Sequence, residues 1–392
     1  MRKLRIVQQY VAAKNGGGLE TEFRALCGRE TLTSEFDLIP VVLENAHPGI
    51  SPADIRFYRR AFRSAEPDII HIRGAGIESL NAVIAARQAG HARVLVTVHG
   101  MFSDMVYYNP LKRRICRSVA EPLIFSMADG ISCVSERAAA RKIFDRYRRR
   151  MLPCIYNRMP VYPPASPADR HRIRDSLGIP DSATVGVWTG RVVLDKGLGF
   201  LTDALRMPDC LPDGCYLLIV GDGDWLPAMR AACTGLACAN RIIFTGQVDN
   251  VLPYLQAADF FLSPSLHENL SVSILEACAA GLPCLVTDVG GNTEIVEDGV
   301  NGVVIPPRSA QAIADGIRRM CDPTCRATLL RRAAGKDYSS FSDENVDRQL
   351  RTVYRMLLGG MTDDQHRDSC VQCRGNSRTL SSLSAGTDIP RL

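Results

Sequence analysis

The sequence predicts an α/β fold in which two doubly wound, Rossmann-like domains face each other across a cleft. Short apolar runs of strand length alternate with amphipathic runs of helix length, a pattern typical of parallel sheets covered by helices. The alternation stops at a stretch with five prolines and then resumes, and 392 residues exceed what one core usually contains. We therefore expect an N-terminal domain at residues 1–160 and a C-terminal domain at residues 168–341.

The composition is typical of a soluble globular enzyme. Apolar residues make up 46% of the chain and charged residues 23%, and the net charge is +5. No run of about 18 apolar residues occurs, so we expect no transmembrane helix. The basic N-terminus turns polar at Gln8, which argues against a secretory signal and favours a cytoplasmic location.

A glycine run follows the first predicted strand, at residues 4–9, and precedes a helical pattern. Gly16, Gly17 and Gly18 would allow backbone amides to approach a phosphate closely. The run fits neither a Walker loop nor the dinucleotide-binding glycine pattern, and by itself it would also fit a flexible turn.

His99 follows the predicted strand at residues 94–98. Further strands of this half are predicted at residues 36–41, 69–73 and 130–135. Side chains at the carboxyl ends of parallel strands face the ligand crevice. A single histidine is more often structural, but this position favours contact with a substrate.

Two basic stretches lie in the same half, at residues 112–117 and 137–150. The usual interpretation is a solvated helix face. This much positive charge also suits an anionic membrane surface or an acidic acceptor, and Arg148, Arg149 and Arg150 are then the expected contacts. Nucleic acid is not expected as a partner, because no aromatic stacking pattern accompanies the charge.

The predicted strands of the second half, at residues 184–189, 216–220 and 241–244, end in turns that contain glycine. The glycines expected to approach a substrate are Gly190, Gly223 and Gly246. Arg191 and Lys196 follow the first of these strands and predict a clamp for a diphosphate, because anions favour paired cationic donors. Either cation alone would be interpreted as surface charge.

The stretch from residue 263 to 307 combines a loop, a helix and two carboxylates. The helix is predicted to begin after Ser271 and to end before Pro283. A helix N-terminus carries unpaired amides and a partial positive charge, so it suits a phosphate. Glu268 lies in the loop before the helix, and Glu276 lies within it.

The fourteen cysteines are scattered, often within apolar runs, and are interpreted as small core residues kept reduced. Cys370 and Cys373 have metal or redox spacing, but a structural zinc site needs four ligands and only His366 is near. The predicted functional site therefore includes no metal. Residues 359–392 are polar and are predicted to be disordered.

Taken in order, these motifs resemble the retaining, nucleotide-sugar-dependent glycosyltransferases of the GT-B fold, known as family 4 or glycosyl transferases group 1. The resemblance covers roughly residues 1–358 and is strongest between residues 185 and 307. The motifs that carry it are Gly16–Gly18, Thr97–Gly100, Cys133–Ser135, Gly190–Arg191, Lys196–Gly197, Val220–Gly223, Glu268, Glu276–Ala277 and Ala280–Pro283.

The resemblance implies transfer of a hexosyl group from a nucleotide-diphosphate sugar to an acceptor hydroxyl, with retained anomeric configuration and without metal or cofactor. Arg191 and Lys196 would neutralise the leaving diphosphate, Glu276 would bind the ribose, and Glu268 would lie beside the transferred sugar. His99 would contact that sugar from the other domain. Backbone amides would come from Gly17, Gly18, Asn269, Leu270 and Ser271.

The resemblance also implies partners and a mechanism. The partners are the nucleotide sugar, a glycan or lipid-linked acceptor and an anionic membrane surface, in cell-surface polysaccharide or glycolipid synthesis at the inner face of the plasma membrane. A front-face transfer and a double displacement with Glu268 as nucleophile both retain configuration, and both stay open. A C-terminal helix at residues 342–358 would cross back onto the N-terminal domain.

The chain departs from the family pattern at Arg158–Pro160, where a glycine and an acidic residue are common, and at residues 269–271, where a glycine is often found. Two alternative functions stay open: a non-catalytic nucleotide-sugar-binding scaffold and a GT-B-fold sugar-nucleotide epimerase. A phosphorylase would need a pyridoxal lysine, and nothing singles one out.

Overall fold

The computed structural model describes residues 2–12, 18–105 and 109–359, and for residues 18–22 only the backbone. Gly17, the pair Cys370 and Cys373, and the predicted disordered tail beyond Gly359 lie outside the described residues. Two parallel sheets with helices on their faces make up the described chain, which confirms the predicted fold class.

The first sheet has five parallel strands in the order β2-β1-β3-β4-β5. The strands are β1 (Leu4–Val11), β2 (Phe36–Leu43), β3 (Ile69–Ala75), β4 (Arg93–Met101) and β5 (Gly130–Cys133). The helices are α1 (Gly18–Cys27), α2 (Glu30–Thr33), α3 (Pro52–Ala65), α4 (Ile77–Ala89), α5 (Pro110–Ile115), α6 (Glu121–Met127) and α7 (Glu136–Ala139). A π-helical turn, Cys116–Ala120, joins α5 to α6, and 3₁₀ segments occur at Phe102–Asp104 and Lys142–Arg150.

The second sheet has six parallel strands in the order β11-β10-β9-β6-β7-β8. The strands are β6 (Thr184–Thr189), β7 (Cys215–Val220), β8 (Ile242–Gly246), β9 (Phe260–Ser263), β10 (Cys284–Thr287) and β11 (Gly302–Ile305). The helices are α8 (Pro167–Ser176), α9 (Leu198–Leu205), α10 (Leu226–Cys233), α11 (Leu252–Ala257), α12 (Val272–Ala279), α13 (Asn292–Ile295), α14 (Ala310–Cys321) and α15 (Pro323–Ala333).

The central strands are buried on both faces, as their sequences require. Val94, Val96 and Val98 of β4 pack into one core cluster, whereas Leu95 of the same strand packs into another. A strand covered on both sides by helices needs a continuous apolar run rather than an alternating one. The apolar runs of β4 and β10 therefore place these strands inside their sheets.

The last described helix, α16 (Asp343–Gly359), packs against the first domain. Its apolar stripe is buried against Ile6 and Leu95, and full burial of each such side chain stabilises the fold by about 1.5–3 kcal/mol. The buried residues of the stripe are Val346, Leu350, Val353, Tyr354 and Leu357. Arg29 pairs with Asp343 and Asp347 at the start of the helix.

None of the helices in the described parts of the chain combines the length and the apolar character that crossing a bilayer requires.

Candidate functional site

The carboxyl ends of the two sheets meet where the loop before α12 contacts the first domain. The Ser135 hydroxyl, which caps α7, donates a hydrogen bond to the Asn269 carbonyl at 2.7 Å. The Asn157 amide donates to the Leu270 carbonyl at 2.9 Å. The loop that carries the predicted site residues 268–271 is therefore held from both domains.

Glu268 and Lys196, which the sequence predicted for two different parts of a ligand, form an ion pair. Lys196 Nζ lies 2.6 Å from Glu268 Oε1, and the Ser265 hydroxyl donates to the same oxygen at 2.9 Å. The side chains of Lys196 and Glu268 are only 25% and 11% exposed. A cation and a carboxylate are thus placed side by side at the site.

Two glycines make this pairing sterically feasible. Gly197 has a φ of 70°, and a Cβ there would lie 1.8 Å from the Pro264 carbonyl oxygen. Gly290 has a φ of 49°, and a Cβ there would lie 1.6 Å from the Glu268 carbonyl oxygen. Only glycine tolerates both this backbone conformation and such an approach. The contact between Gly290 and Glu268 joins residues 22 positions apart, so local sequence pattern could not predict it.

Arg191 does not join the pair of Lys196 and Glu268. It follows Gly190 at the end of β6, its side chain is exposed, and it makes no ion pair with any residue in the described ranges. The predicted clamp has two cations, and only one of them, Lys196, contacts Glu268 in the structure.

The three glycine turns of the second domain pack against each other. A Cβ on Gly221 would lie 1.9 Å from the Gly190 carbonyl oxygen, and one on Gly223 would lie 2.5 Å from the Val192 carbonyl oxygen. Gly223 also borders a surface pocket of about 450 Å³. Gly246 has open space around its Cα, and its carbonyl accepts the Gly221 amide at 2.9 Å. Close packing of the turns therefore explains Gly221 and Gly223 without a ligand, whereas a Cβ on Gly190 would meet only the Trp188 ring, at 3.5 Å. The binding roles of Gly190 and Gly223 stay predictions.

The helix α12 starts as the sequence predicted, with Ser271 as its N-cap residue. Leu270 and Ser271 are buried. Glu276 lies within the helix and is half buried. Burial, and then the Glu276 charge, raise the pKa of Tyr162. The helix α1, whose first residue is Gly18, lies next to α12.

His99 lies near the end of β4 and is connected to α16 by a chain of hydrogen bonds. Arg73 Nη1 lies 3.4 Å from His99 Nε2, and Arg73 Nη2 donates to Gln8 Oε1 at 3.2 Å. Gln8 Nε2 then donates to the Tyr354 hydroxyl at 2.8 Å, and this hydroxyl lies 2.9 Å from His71 Nδ1. No local sequence pattern predicts these hydrogen bonds, because the residues that form them are spread over 346 positions.

The chain of hydrogen bonds fixes the protonation of both histidines. A guanidinium can only donate, so His99 Nε2 accepts and the ring proton lies on Nδ1. The Tyr354 hydroxyl accepts from Gln8 and so donates to His71 Nδ1, and His71 Nε2 donates to Thr97 Oγ1 at 2.7 Å. Burial and the Arg73 charge lower the pKa of His99 to about 3 and hold that of His71 well below its usual value. Both rings are therefore neutral at neutral pH.

Several buried polar atoms near the strand ends lack a hydrogen-bond partner among the described residues. They are His99 Nδ1, Asn269 Nδ2 and Thr189 Oγ1. Buried polar atoms are nearly always paired, so unpaired atoms near the ends of strands are candidates for contact with a ligand. Thr189 was not predicted from the sequence, although it is the last residue of β6.

A further contact joins the two domains at His267. Asp104 accepts two hydrogen bonds from Arg141, at 2.6 and 2.7 Å, and its Oδ2 lies 3.2 Å from His267 Nε2. Burial lowers the pKa of His267, and the Asp104 charge opposes this only in part. His267 directly precedes Glu268, so Asp104 of the first domain reaches the residue next to the ion pair.

The described residues contain no group of three or more His, Cys, Asp or Glu side chains placed to hold a metal ion.

Comparisons with known proteins give matches to both halves of the chain. The sequence model of glycosyl transferases group 1 matches residues 183–322, and that of glycosyltransferase family 4 matches residues 15–157. The 2-deoxystreptamine N-acetyl-D-glucosaminyltransferase of Streptomyces fradiae is 30% identical over 314 residues, which cover 76% of this chain and 73% of that protein.

Other relatives match over a shorter segment. A lipopolysaccharide core biosynthesis glycosyltransferase of Rhizobium meliloti is 33% identical over 175 residues, 44% of this chain and 50% of that protein. An uncharacterized glycosyltransferase of Methanocaldococcus jannaschii is 30% identical over 194 residues, 48% of this chain and 49% of that protein. This chain thus spans about half the length of these two relatives.

Two solved structures share the fold. Sucrose-phosphate synthase from Thermosynechococcus elongatus superimposes with a TM-score of 0.74 at 22% identity, covering 91% of this chain and 100% of the other. The Anabaena protein HepE, solved in complex with UDP and glucose, superimposes with a TM-score of 0.70 at 22% identity, covering 89% and 98%. At this identity the likeness concerns the two-domain fold alone.

Proposed function

Because this chain belongs to the glycosyl transferases group 1 family, we propose that it transfers a hexosyl group from a nucleotide-diphosphate sugar to an acceptor hydroxyl group. The observation that carries the proposal is the ion pair of Lys196 and Glu268. Both residues lie in the segment that matches the family, and the loop of Glu268 contacts the first domain. The unpaired polar atoms at the strand ends support a ligand at the same place.

The chemistry follows from charge. As the bond from the sugar to the diphosphate breaks, negative charge grows on the leaving phosphate, and a cation already in place stabilises it without reorganisation. Lys196 would turn from Glu268 to this phosphate, and the exposed Arg191 would close over it. Glu268, relieved of its partner, would lie beside the transferred sugar, while Glu276 would bind the ribose hydroxyls.

The neutral His99 has a definite role in this proposal. Its Nδ1 carries the ring proton and makes no hydrogen bond of normal geometry with the described residues, so it can donate one to a sugar hydroxyl. The nearby Asn157 side chain only partly offsets the lowering of the His99 pKa. Because this pKa is about 3, His99 would remain a neutral donor over the whole working range of pH. It would therefore orient the sugar rather than supply a proton.

The proposed transfer retains the anomeric configuration and uses neither metal nor cofactor. In a front-face reaction the leaving phosphate would accept the proton of the incoming hydroxyl. In a double displacement, Glu268 would attack the sugar and form a covalent intermediate. Mass spectrometry of the Glu268 peptide after incubation with donor alone distinguishes the two, because only the second adds a hexose to it.

We further propose a glycan or lipid-linked acceptor, in cell-surface polysaccharide or glycolipid synthesis at the inner face of the plasma membrane. The name of the R. meliloti relative supports this class of acceptor. The S. fradiae relative is named for a small acceptor, 2-deoxystreptamine, so soluble amino-sugar alcohols form the second class to be tested.

The test uses the purified protein with a panel of nucleotide sugars, beginning with UDP-sugars. We expect one donor to raise the melting temperature, since a ligand that binds the folded state stabilises it, and to release its nucleoside diphosphate when an acceptor is added. Excess EDTA should leave this release unchanged. Epimerised donor without transfer would identify an epimerase, and donor binding without any turnover would identify a scaffold.

Replacing Tyr354 by phenylalanine should slow the transfer from a distance. The change leaves Gln8 Nε2 and His71 Nδ1 without their buried partner, which costs about 1–3 kcal/mol of stability. Gln8 also holds Arg73, so His99 should lose its fixed orientation and kcat should fall by about 10-fold or more. Steady-state kinetics at a temperature well below the melting point measure this effect.

Tyr338→Phe is the matched control for this prediction. It also removes a tyrosine hydroxyl that accepts a hydrogen bond from an amide, that of Asn301 at 2.7 Å, but in the second domain. It should lower stability and leave kcat near the wild-type value. Equal kcat values for the two variants would show that the chain from Tyr354 to His99 does not position the histidine.

A further inference from the structure

The helical stretch from Pro110 to Met127 exposes a stripe of four large apolar side chains. Leu111, Ile115, Val119 and Leu123 are 68%, 51%, 52% and 44% exposed. They follow each other at intervals of four residues, about one helical turn each. Such a contiguous apolar stripe on a surface helix usually marks a site of interaction.

The π-helical turn in the middle of the stretch keeps the stripe straight. In an α-helix, a step of four residues overshoots one turn by about 40°, so a repeat of four would wind around the helix. A π turn contains more residues than an α turn, so the step across Cys116–Ala120 falls short of a full turn and offsets the drift. The four apolar side chains therefore stay on one side of the helix.

A neighbouring side of the same stretch is already buried. Ala120, Ile124 and Phe125 belong to the main core of the first domain. One apolar face of the helix therefore packs into the core, and the exposed stripe forms a second apolar face.

Cations without exposed carboxylates surround the stripe. Lys112, Arg114 and Arg117 are exposed, and neither Arg114 nor Arg117 forms an ion pair within the described ranges. The only acidic residue between positions 110 and 127 is Glu121, which is buried and accepts hydrogen bonds from the Ser103 amide and hydroxyl at 2.8 and 3.0 Å. The exposed side of the helix is thus apolar and positive.

The arginines that the sequence predicted for a membrane surface are partly engaged elsewhere. Arg150 donates to the carbonyls of Phe125 and Ala128, both at 3.1 Å, and so closes the end of α6. Arg148 pairs with Asp145 at 2.8 Å. Contact with a membrane therefore falls mainly to the helix rather than to Arg148–Arg150.

We propose that this docking face binds the surface of an anionic lipid bilayer. We define the docking face as Leu111, Ile115, Val119 and Leu123 together with Lys112, Arg114 and Arg117. The apolar stripe would enter the boundary between head groups and acyl chains, and the cations would pair with lipid phosphates, as in other amphipathic helices that lie in the interface. A second copy of the chain fits less well, because its identical face would bring like charges together.

Docking would also bring the cleft to the membrane. Ser103, whose amide and hydroxyl bind Glu121, also accepts a hydrogen bond from Arg113 Nε at 3.2 Å. The next residue, Asp104, contacts His267 beside the ion pair. The helix that carries the docking face is therefore connected through residues 103 and 104 to the loop of the ion pair. This connection suits the lipid-linked acceptor, and only this consequence rests on the proposed function.

The experiment is flotation of the full-length protein with vesicles of phosphatidylcholine alone or with phosphatidylglycerol added. We expect the wild type to float with the anionic vesicles at low salt and to be released by high salt. Leu111→Ser with Ile115→Ser, and separately Arg114→Glu with Arg117→Glu, should each weaken partitioning by at least about 10-fold, since apolar insertion and charge each contribute. Val161→Ser with Leu330→Ser, at exposed apolar positions elsewhere, should bind like the wild type.

Nucleotide-induced thermal stabilisation of each variant separates this inference from the proposed function, because it reports on the cleft and should stay unchanged. A wild type that does not float, or docking-face variants that float equally well, would overturn the proposal. So would a wild-type dimer that Leu111→Ser with Ile115→Ser converts to a monomer while no form floats, since the face would then serve self-association.

Discussion

Replacing Lys196 by alanine is expected to reduce sugar transfer by about 100- to 1,000-fold, the usual cost of removing one group that stabilises charge in a transition state. Lys196 is the cation closest to Glu268, at 2.6 Å, and Arg191 stands apart from this pair. No other described cation pairs with Glu268, so none is placed to replace Lys196. Without Lys196, the leaving diphosphate would lose its main preorganised cation. Single-turnover measurements with saturating donor report this loss directly.

Lys336→Ala provides a matched control. Lys336 pairs with Glu297 at 2.8 Å and is 19% exposed, close to the 25% of Lys196, but it lies at the start of the segment after α15. The Lys196 variant should lose about 1–3 kcal/mol of stability, between the values for surface and buried pairs. The Lys336 variant should lose about 1 kcal/mol or less, because Glu297 is 58% exposed. Only the Lys196 variant should lose turnover. Activity of the Lys196 variant within threefold of the wild type would disprove the clamp.

Of the glycine-to-alanine substitutions at the site, Gly290→Ala should destabilise the fold most. The added Cβ would lie 1.6 Å from the Glu268 carbonyl oxygen, a backbone atom that cannot rotate away. We expect a loss of about 3 kcal/mol or more, from overpacking and from a strained positive φ together, and displacement of the loop that carries Glu268. Donor-induced thermal stabilisation should therefore disappear even where the variant remains folded.

Gly281→Ala separates the steric effect from the backbone effect. Gly281 also has a positive φ, of 79°, but a Cβ there would meet no atom within 4 Å. Its replacement should cost only about 1 kcal/mol and leave donor binding intact. If the two variants lost stability and donor binding equally, the contact between Gly290 and Glu268 would not matter.

The sequence predicted what depends on local pattern. The alternation of apolar and amphipathic runs predicted eight of the strands, between residues 4 and 244, and their parallel arrangement. The position of His99 after an apolar run placed it near a strand's carboxyl end. Ser271 was correctly predicted as a helix cap. These features follow from residues within a few positions of each other, for which spacing and propensity are sufficient.

The contacts between distant residues could not be predicted in this way. The pair of Lys196 and Glu268 is formed by residues 72 positions apart, and Tyr354 reaches Gln8 across 346 positions. Periodicity shows which face of a helix is apolar, but it does not show what covers that face. For this reason the exposure of Leu111 and Ile115 could not be predicted, although the basic stretch that surrounds them was identified from the sequence.

The packing of α16 on the first sheet has a consequence for synthesis of the chain. One of the core clusters of the first domain includes Leu350, Val353 and Leu357, so a ribosome must deliver nearly all the described residues before this cluster can close. The second domain, whose strands end at Ile305, is complete earlier. Until α16 has been synthesised, Ile6, Phe36 and Leu95 of the nascent first domain stay exposed. We therefore expect chaperones to bind this half of the chain during synthesis.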